Sequence, residues 1–196
     1  MPPIKRILNV EVLGTLLLLA GGSPLEEMPV PAKQQVAIFL KVLTFDRRIA
    51  HTKKKDLLVA ILYQSGFRGS VRVKDQVEEA FTKASSDSPA GRALKLVVID
   101  ADREPDLAAT LRRLEAEALY VTPLRALDIA TVINAARRTS TLTLTGVPEY
   151  VEAGLSIGLT MKQDKPQILV NLEASRAEGA DLAAPLLKLA TIVSTQ

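Results

Sequence analysis

The chain has 196 residues, a formal net charge of +3, and 47% hydrophobic, 24% charged and only 4% aromatic content. That length and balance suit one globular domain and argue against disorder, a collagen-like fibre or a polytopic membrane protein. The absence of Cys excludes disulfides, thiolate zinc sites and cysteine nucleophiles, and the single histidine, His51, excludes two-histidine metal sites.

The opening residues have the layout of a secretory signal. Lys5 and Arg6 precede an apolar run from Val12 to Ala20, and small residues Gly21, Gly22 and Ser23 follow. Ala20 and Gly22 fill the two small-residue positions, which places a cut after Gly22 and the product in the periplasm. Nine residues at ~1.5 Å each cover about 14 Å, far short of a ~30 Å hydrocarbon core, so no stable membrane span is expected. Glu11 interrupts the edge of the run, and the alternative is a buried N-terminal helix of a cytosolic protein. Pro24, Pro29 and Pro31 make residues 23–31 an extended linker. The remainder, 32–196, reads as one domain.

From Ala32 the apolar residues Val36, Phe39, Leu40 and Leu43 fall on one helical face, and the spacing predicts a helix ending near Arg47 and Arg48. Leu57 to Tyr63 is a continuous apolar run, the mark of a strand covered on both faces. A helix is expected over 70–84 (Val73, Val77, Phe81), then a Ser/Pro/Gly loop, then a strand over 94–99. Leu107, Leu111, Leu114 and Ala118 mark a third helix, Ala118 to Val121 a short strand, and Ile129, Val132, Ile133 and Ala136 a fourth helix. Thr141 to Thr145 alternates cleanly and suits a strand near the sheet margin. After Gly146 the rhythm changes: Leu155–Met161 and Gln167–Leu172 read as an antiparallel hairpin. Leu182, Leu186, Leu189 and Val193 read as a closing helix, with Pro185 in its first turn. The expected fold class is therefore α/β: a three-layer sandwich with about four parallel strands, a C-terminal antiparallel hairpin and a closing helix.

The closing third carries the most distinctive residues. It holds Gly146-Val-Pro148-Glu-Tyr-Val-Glu-Ala-Gly154, then Asn171-Leu-Glu-Ala-Ser-Arg176-Ala-Glu-Gly179, then Leu182-Ala-Ala-Pro-Leu-Leu-Lys188-Leu-Ala. This resembles the YfiR-like family of periplasmic regulatory proteins, most strongly over residues 146–193. There a hairpin leads to an N-L-x-x-A/S-R-x-x-G turn and a helix carrying L-L-K-L-A. The resemblance implies a regulator rather than an enzyme, with no cofactor. Members restrain a membrane-bound diguanylate cyclase by binding its periplasmic domain, tend to form homodimers, and so govern cyclic-di-GMP and biofilm behaviour. Better-known members carry cysteines, and the lack of them here leaves a redox role unsupported. Physically, Asn171 suits the end of a strand where its amide bonds the turn. Arg176 could pair with a carboxylate, Gly179 permits a left-handed residue after a helix, and the Lys188 stem can lie over apolar surface.

Ligands of open α/β sheets collect where parallel strands end. Those ends offer Ser65, Asp100, Asp102, Thr122 and Thr145, a rim able to hold a small polar ligand; short polar residues there equally serve as helix caps, Asp102 or Asp106 among them. Asp100, Asp102, Thr122 and Thr145 also suggest a phosphoacceptor pocket, but no strand-end Lys completes it. Arg47, Arg48 and Lys53–Lys55 form a basic cluster near His51, suited to anionic lipid, to an acidic protein surface or simply to solvent; without interleaved aromatics, nucleic acid is not expected as a partner. No G-x-G-x-x-G, Walker A or G-x-S-x-G sequence is present. The sequence thus points to a non-enzymatic periplasmic regulator that binds an envelope protein. A small-molecule-binding module feeding a transporter or sensor is the alternative, and an enzyme using Asp100 as acid or base comes third.

Overall fold

A computed structural model of the chain describes residues 28–84, 89–125 and 127–195. The expected leader and most of the linker lie outside the described residues. In chain order the elements are α1 (Ala32–Leu43), α2 (Arg47–Ala50), β1 (Asp56–Tyr63), α3 (Arg68–Lys83), β2 (Ala93–Asp100), α4 (Leu107–Leu114), β3 (Ala118–Val121), α5 (Ile129–Thr139), β4 (Leu142–Thr145), α6 (Pro148–Glu152), β5 (Ile157–Lys162), β6 (Lys165–Asn171), α7 (Leu172–Ala177), α8 (Ala184–Leu189) and β7 (Thr191–Val193).

The strands form one seven-stranded sheet in the order β2-β1-β3-β4-β5-β6-β7. β1 to β5 are mutually parallel, β6 returns antiparallel to β5, and β7 runs parallel to β6. The parallel run is thus one strand longer than the periodicity implies, because the first arm of the hairpin also pairs with β4. Alternation along β1 explains its unbroken apolar sequence. Val59 and Ile61 face α1 and α3, where Phe39, Leu43, Val77 and Phe81 close over them. Ala60 and Leu62 face the other layer, under Leu111 of α4 and Val132 of α5. Each of these large side chains contributes roughly 1.5–3 kcal/mol on burial. Tyr120 of β3 meets Phe39 edge-on, with ring centroids 5.9 Å apart.

Four local features differ from the sequence expectation. First, α1 stops at Leu43 because Asp46 is buried and starts a new turn: its carboxylate accepts from Arg48 N at 2.9 Å and from Asp181 N at 3.2 Å, so Arg47 and Arg48 belong to α2. Second, α4 ends at Leu114, where Glu115 takes a left-handed conformation (φ 53°), and Ala118 opens β3. Third, β4 is the central strand, not a marginal one, and every residue in it is buried. Its threonines, and Thr141 just before it, mimic an exposed face because their hydroxyls are bonded internally, Thr145 to Val121 O at 3.0 Å and Thr141 to Ala116 O at 3.1 Å. Fourth, the closing helix is cut short after Leu189, and Ile192 and Val193 continue as β7. Among the described residues no helix is long and apolar enough to cross a membrane.

Candidate functional site

At the end where the parallel strands finish, Ser65, Asp100 and Asp102 come together. Asp100, the last residue of β2, accepts from Ser65 N at 3.1 Å and Asp102 N at 3.2 Å and pairs with Arg103 at 3.3 Å. Asp102 accepts from Gly66 N at 2.6 Å, Gln64 Nε2 at 3.0 Å and Ser65 Oγ at 3.2 Å. The Gly66 amide above all, helped by Gln64, holds the Asp102 carboxyl below its ordinary value. A side chain at residue 66 would crowd this bond, since a Cβ there would lie 3.0 Å from Asp102 Oδ2. Asp102 therefore braces the loop after β1 rather than capping a helix; Asp106 caps α4 by accepting from Ala109 N at 2.9 Å.

Thr122 and Thr145 lie beneath this loop, fully buried. Thr122 Oγ1 donates to Leu62 O at 2.9 Å and shares a 2.7 Å bond with Ser70 Oγ, which itself accepts from Gln64 N at 2.8 Å. Thr145 Oγ1 accepts from Val147 N at 3.1 Å. Gln64 and Ser70 are the members of this network that sequence reading does not single out. Their signal is weak, a Gln after an apolar run and a Ser inside a helix. The polar atoms of the rim are thus directed at one another and at the main chain.

The distinctive C-terminal residues divide into buried and exposed sets. Gly146 follows β4 at a close approach: a Cβ there would lie 2.5 Å from the Gln35 amide, and its N–H donates to the buried Tyr120 hydroxyl. Gln35 bridges that site to the chain before α1, accepting from Tyr120 at 2.8 Å and donating to Val30 O at 2.6 Å. Pro148 opens α6 at a position that needs no amide donor. Asn171 caps α7, accepting from Ala174 N at 3.0 Å and donating to Val151 O at 3.1 Å. Gly179 adopts φ 76° after α7. Arg176 and Lys188 are exposed, and neither has an ion pair among the described residues. Sequence reading passes over Glu178, which is fully buried and accepts from Thr143 N and Thr143 Oγ1, both at 2.8 Å, and from Ser156 Oγ. Burial outweighs those bonds and pushes its carboxyl up to about 7.

The opposite end of the sheet is basic. Arg47 and Arg48 of α2, Lys53–Lys55 before β1, Arg112 in the last turn of α4, and Arg137 and Arg138 in the last turn of α5 all lie there. A cavity of about 330 Å³ has Arg48, Lys54, Arg112, Thr139 and Ser140 among its walls. Beneath it Arg92 and Glu117 form a buried ion pair, with Arg92 also donating to Ile49 O at 3.2 Å.

A third surface is apolar. Met161, Leu189 and Ile192 are the large hydrophobic side chains left exposed among the described residues. Met161 of β5 pairs with Pro166, and Ile192 of β7 pairs with the buried Val170. Register places both on the sheet face that carries α1 and α8.

The family model described as YfiR/HmsC-like matches residues 36–191. The chain belongs to the YfiR/HmsC-like family. No curated protein matches it in sequence. Solved structures share the α/β fold of this YfiR/HmsC-like chain at low identity. The ABC domain from Streptococcus pneumoniae in complex with L-Trp is 17% identical, covers 83% of this chain and 62% of its own, and superposes with a TM-score of 0.57. A conserved domain protein from Vibrio cholerae is 16% identical over 84% of this chain and 60% of its own, with a TM-score of 0.56. A ligand-free, open substrate binding protein with adhesive properties from Clostridium difficile is 16% identical over 85% and 61%, with a TM-score of 0.57. The chain therefore spans about three fifths of the length of these structures.

Proposed function

We propose that this chain is a non-enzymatic periplasmic regulator, one YfiR-like domain from residue 32 onward behind a cleaved leader. In this reading it restrains a membrane-bound diguanylate cyclase by binding that enzyme's periplasmic domain. Family membership supports the class, and the exposure of Met161, Leu189 and Ile192 at one margin of the sheet is the observation that carries the contact. Isolated surface hydrophobics need no explanation, but exposed apolar side chains on β5, α8 and β7, at one margin of the sheet, suit an interface. Its rim of polar groups, including Gln167, which donates to Leu189 O at 3.1 Å, matches interface anatomy. The decisive experiment is a pull-down from envelope extract together with cyclic-di-GMP measured in a deletion strain. Capture of a cyclase by the parent chain, its loss in Ile192→Asp and Leu189→Asp, and raised cyclic-di-GMP on deletion are the expected results. Unchanged nucleotide with no captured envelope protein overturns the reading.

A small-molecule-binding module is the second reading, favoured by a fold shared with a domain crystallised with L-Trp and with a substrate binding protein. The rim Ser65, Asp100, Asp102, Thr122 and Thr145 would be its site. It requires a thermal shift with a small polar ligand that disappears in Asp100→Asn.

A further inference from the structure

We propose that the end of the sheet where the parallel strands begin is a docking face for an anionic lipid bilayer, held by diffuse electrostatics. The reading is independent of the protein contact proposed above, since it uses a different surface.

The topology concentrates charge there. Helices that follow parallel strands run back against them, so the C-termini of α4 and α5 share an end with the start of β1. Cations in a last helical turn oppose the helix dipole, which accounts for Arg112, Arg137 and Arg138 one helix at a time. That account does not reach Lys53, Lys54 and Lys55, which occupy a loop. The cavity walled by Arg48, Lys54 and Arg112 shows that loop and helix ends converge.

The charge is also in excess. Glu115 pairs with Lys54 at 2.8 Å, Asp181 with Arg47 at 2.8 Å, Asp56 with Lys95 at 2.5 Å and the buried Asp46 with Arg48 at 3.5 Å, while Glu117 is buried against Arg92. Lys53, Lys55, Arg112 and Arg138 remain exposed, with no ion pair among the described residues, and Arg137, equally exposed, has only the charge of the buried Glu178 near it. The opposite rim shows no such excess: Asp100, Asp102, Glu104, Asp106 and Asp128 accompany Arg68, Arg72, Arg103 and Arg125 there.

The identity of the partner follows from what this end lacks. A specific protein interface centres on apolar anchors with charges kept to its margin, and the exposed hydrophobics lie on β5, α8 and β7 instead. A nucleic-acid face needs aromatic stacking platforms. An anionic bilayer asks only for several mobile cations within a Debye length of its surface, and each adds an increment.

Flotation with phosphatidylglycerol–phosphatidylcholine vesicles, against pure phosphatidylcholine, tests the proposal on the full chain. Every variant shares one N-terminus, so the apolar residues 12–20 cancel from the comparison. The chain should float with the anionic vesicles at about 0.1 M salt and be released near 1 M, where the Debye length falls to about 3 Å. Lys53→Gln with Lys55→Gln should weaken partitioning roughly 25-fold, about fivefold per cation. Arg68→Gln with Arg72→Gln removes the same charge at the start of α3, beyond the far end of β1 and roughly 20 Å away, about two Debye lengths at 0.1 M salt, and should change nothing. Equal partitioning of parent and Lys53→Gln/Lys55→Gln into anionic vesicles overturns the proposal, as does equal weakening by both double variants. Retention on polyglutamate without binding to vesicles would also overturn it, moving the face to an acidic protein.

Discussion

Where the parallel strands finish, charged and hydroxyl side chains point inward: Asp102 ties down the loop at 64–66, Asp100 holds Ser65, and Thr122 and Thr145 bond main-chain groups. Where the strands begin, one ion pair is buried and the remaining cations point outward, more of them than their carboxylates can match. Both ends are polar in sequence, yet one uses its groups to hold the fold together and the other leaves them available. A strand-end rim is thus a weak indicator of a ligand site until its hydrogen bonds have been traced. The comparison separates stability from recognition, and mutation can test each half.

The largest expected effect lies in the buried layer under the basic end. Arg92→Met leaves the Glu117 carboxylate buried without its partner and also strips donors from Ile49 O and Asp56 O. A loss of about 3–5 kcal/mol in urea unfolding is expected. Adding Glu117→Leu should recover part of it, because an unpaired buried charge costs more than a missing pair. A single variant as stable as the parent would show that this end has no structural layer at all.

Two carboxylates set the next contrast, because their environments push them in opposite directions. Glu178 has its folded value raised from 4.5 to about 7 by burial. The folded state then binds the proton more tightly, so the contribution is fully present below about pH 4.5 and is lost as pH rises through about 7. Roughly 3 kcal/mol should disappear across that window. Glu178→Gln should flatten the slope in a pH series of urea melts. Parallel curves for parent and variant would mean that the bonds from Thr143 and Ser156 fully offset burial and leave the carboxyl unshifted on folding.

What could be read from the sequence, and what could not, divides along physical lines. The β1 run from Leu57 to Tyr63 is unambiguous because a two-sided core demands it, and the helix faces of α1, α3 and α5 follow from period alone. The threonines of β4 mislead because alternation reports polarity, not exposure, and their hydroxyls find partners only in three dimensions. Glu178 is passed over for the same reason: glutamate is seldom buried, and its acceptors' donors come from Thr143 and Ser156, far away in sequence. Ser65, Asp100 and Asp102 lie at neighbouring strand ends, as the strand-end rule has it, but the rule says nothing about how Gln64 and Gly66 bond Asp102. The basic end is half legible. Lys53–Lys55 stand out as a run, whereas Arg112 and Arg138 join them only through the return direction of the helices.

The rim has two smaller tests. Thr122→Val removes a bond to Ser70 and one to Leu62 O, and should cost about 1–3 kcal/mol in a urea melt. Were Thr122 a ligand group with no structural duty, stability would be unchanged and small-molecule binding would fall instead. Asp102→Asn acts more gently and carries a pH signature. Its folded carboxyl lies below the ordinary value, so its contribution is present above the unfolded value near 3.8 and is lost as pH falls through the depressed one. The stability gap between parent and Asp102→Asn should therefore close on acidification, opposite in sign to Glu178. A gap that widens in acid would mean the Gly66 amide is not what holds this group.

The smallest expected effect is the one that protects the comparison. Lys53→Gln with Lys55→Gln should leave the unfolding free energy almost unmoved, within about 0.5 kcal/mol, because neither ammonium has an ion pair among the described residues and surface substitutions of this kind rarely exceed that. A small gain is equally compatible, since thinning a crowd of like charges relieves repulsion. A clear loss would assign these lysines a structural duty like that of Asp102, and the two ends would then differ in sign of charge alone. Measuring the melt at low and high salt distinguishes the cases: lost repulsion shrinks as ions screen it, whereas lost packing of the lysine stems does not.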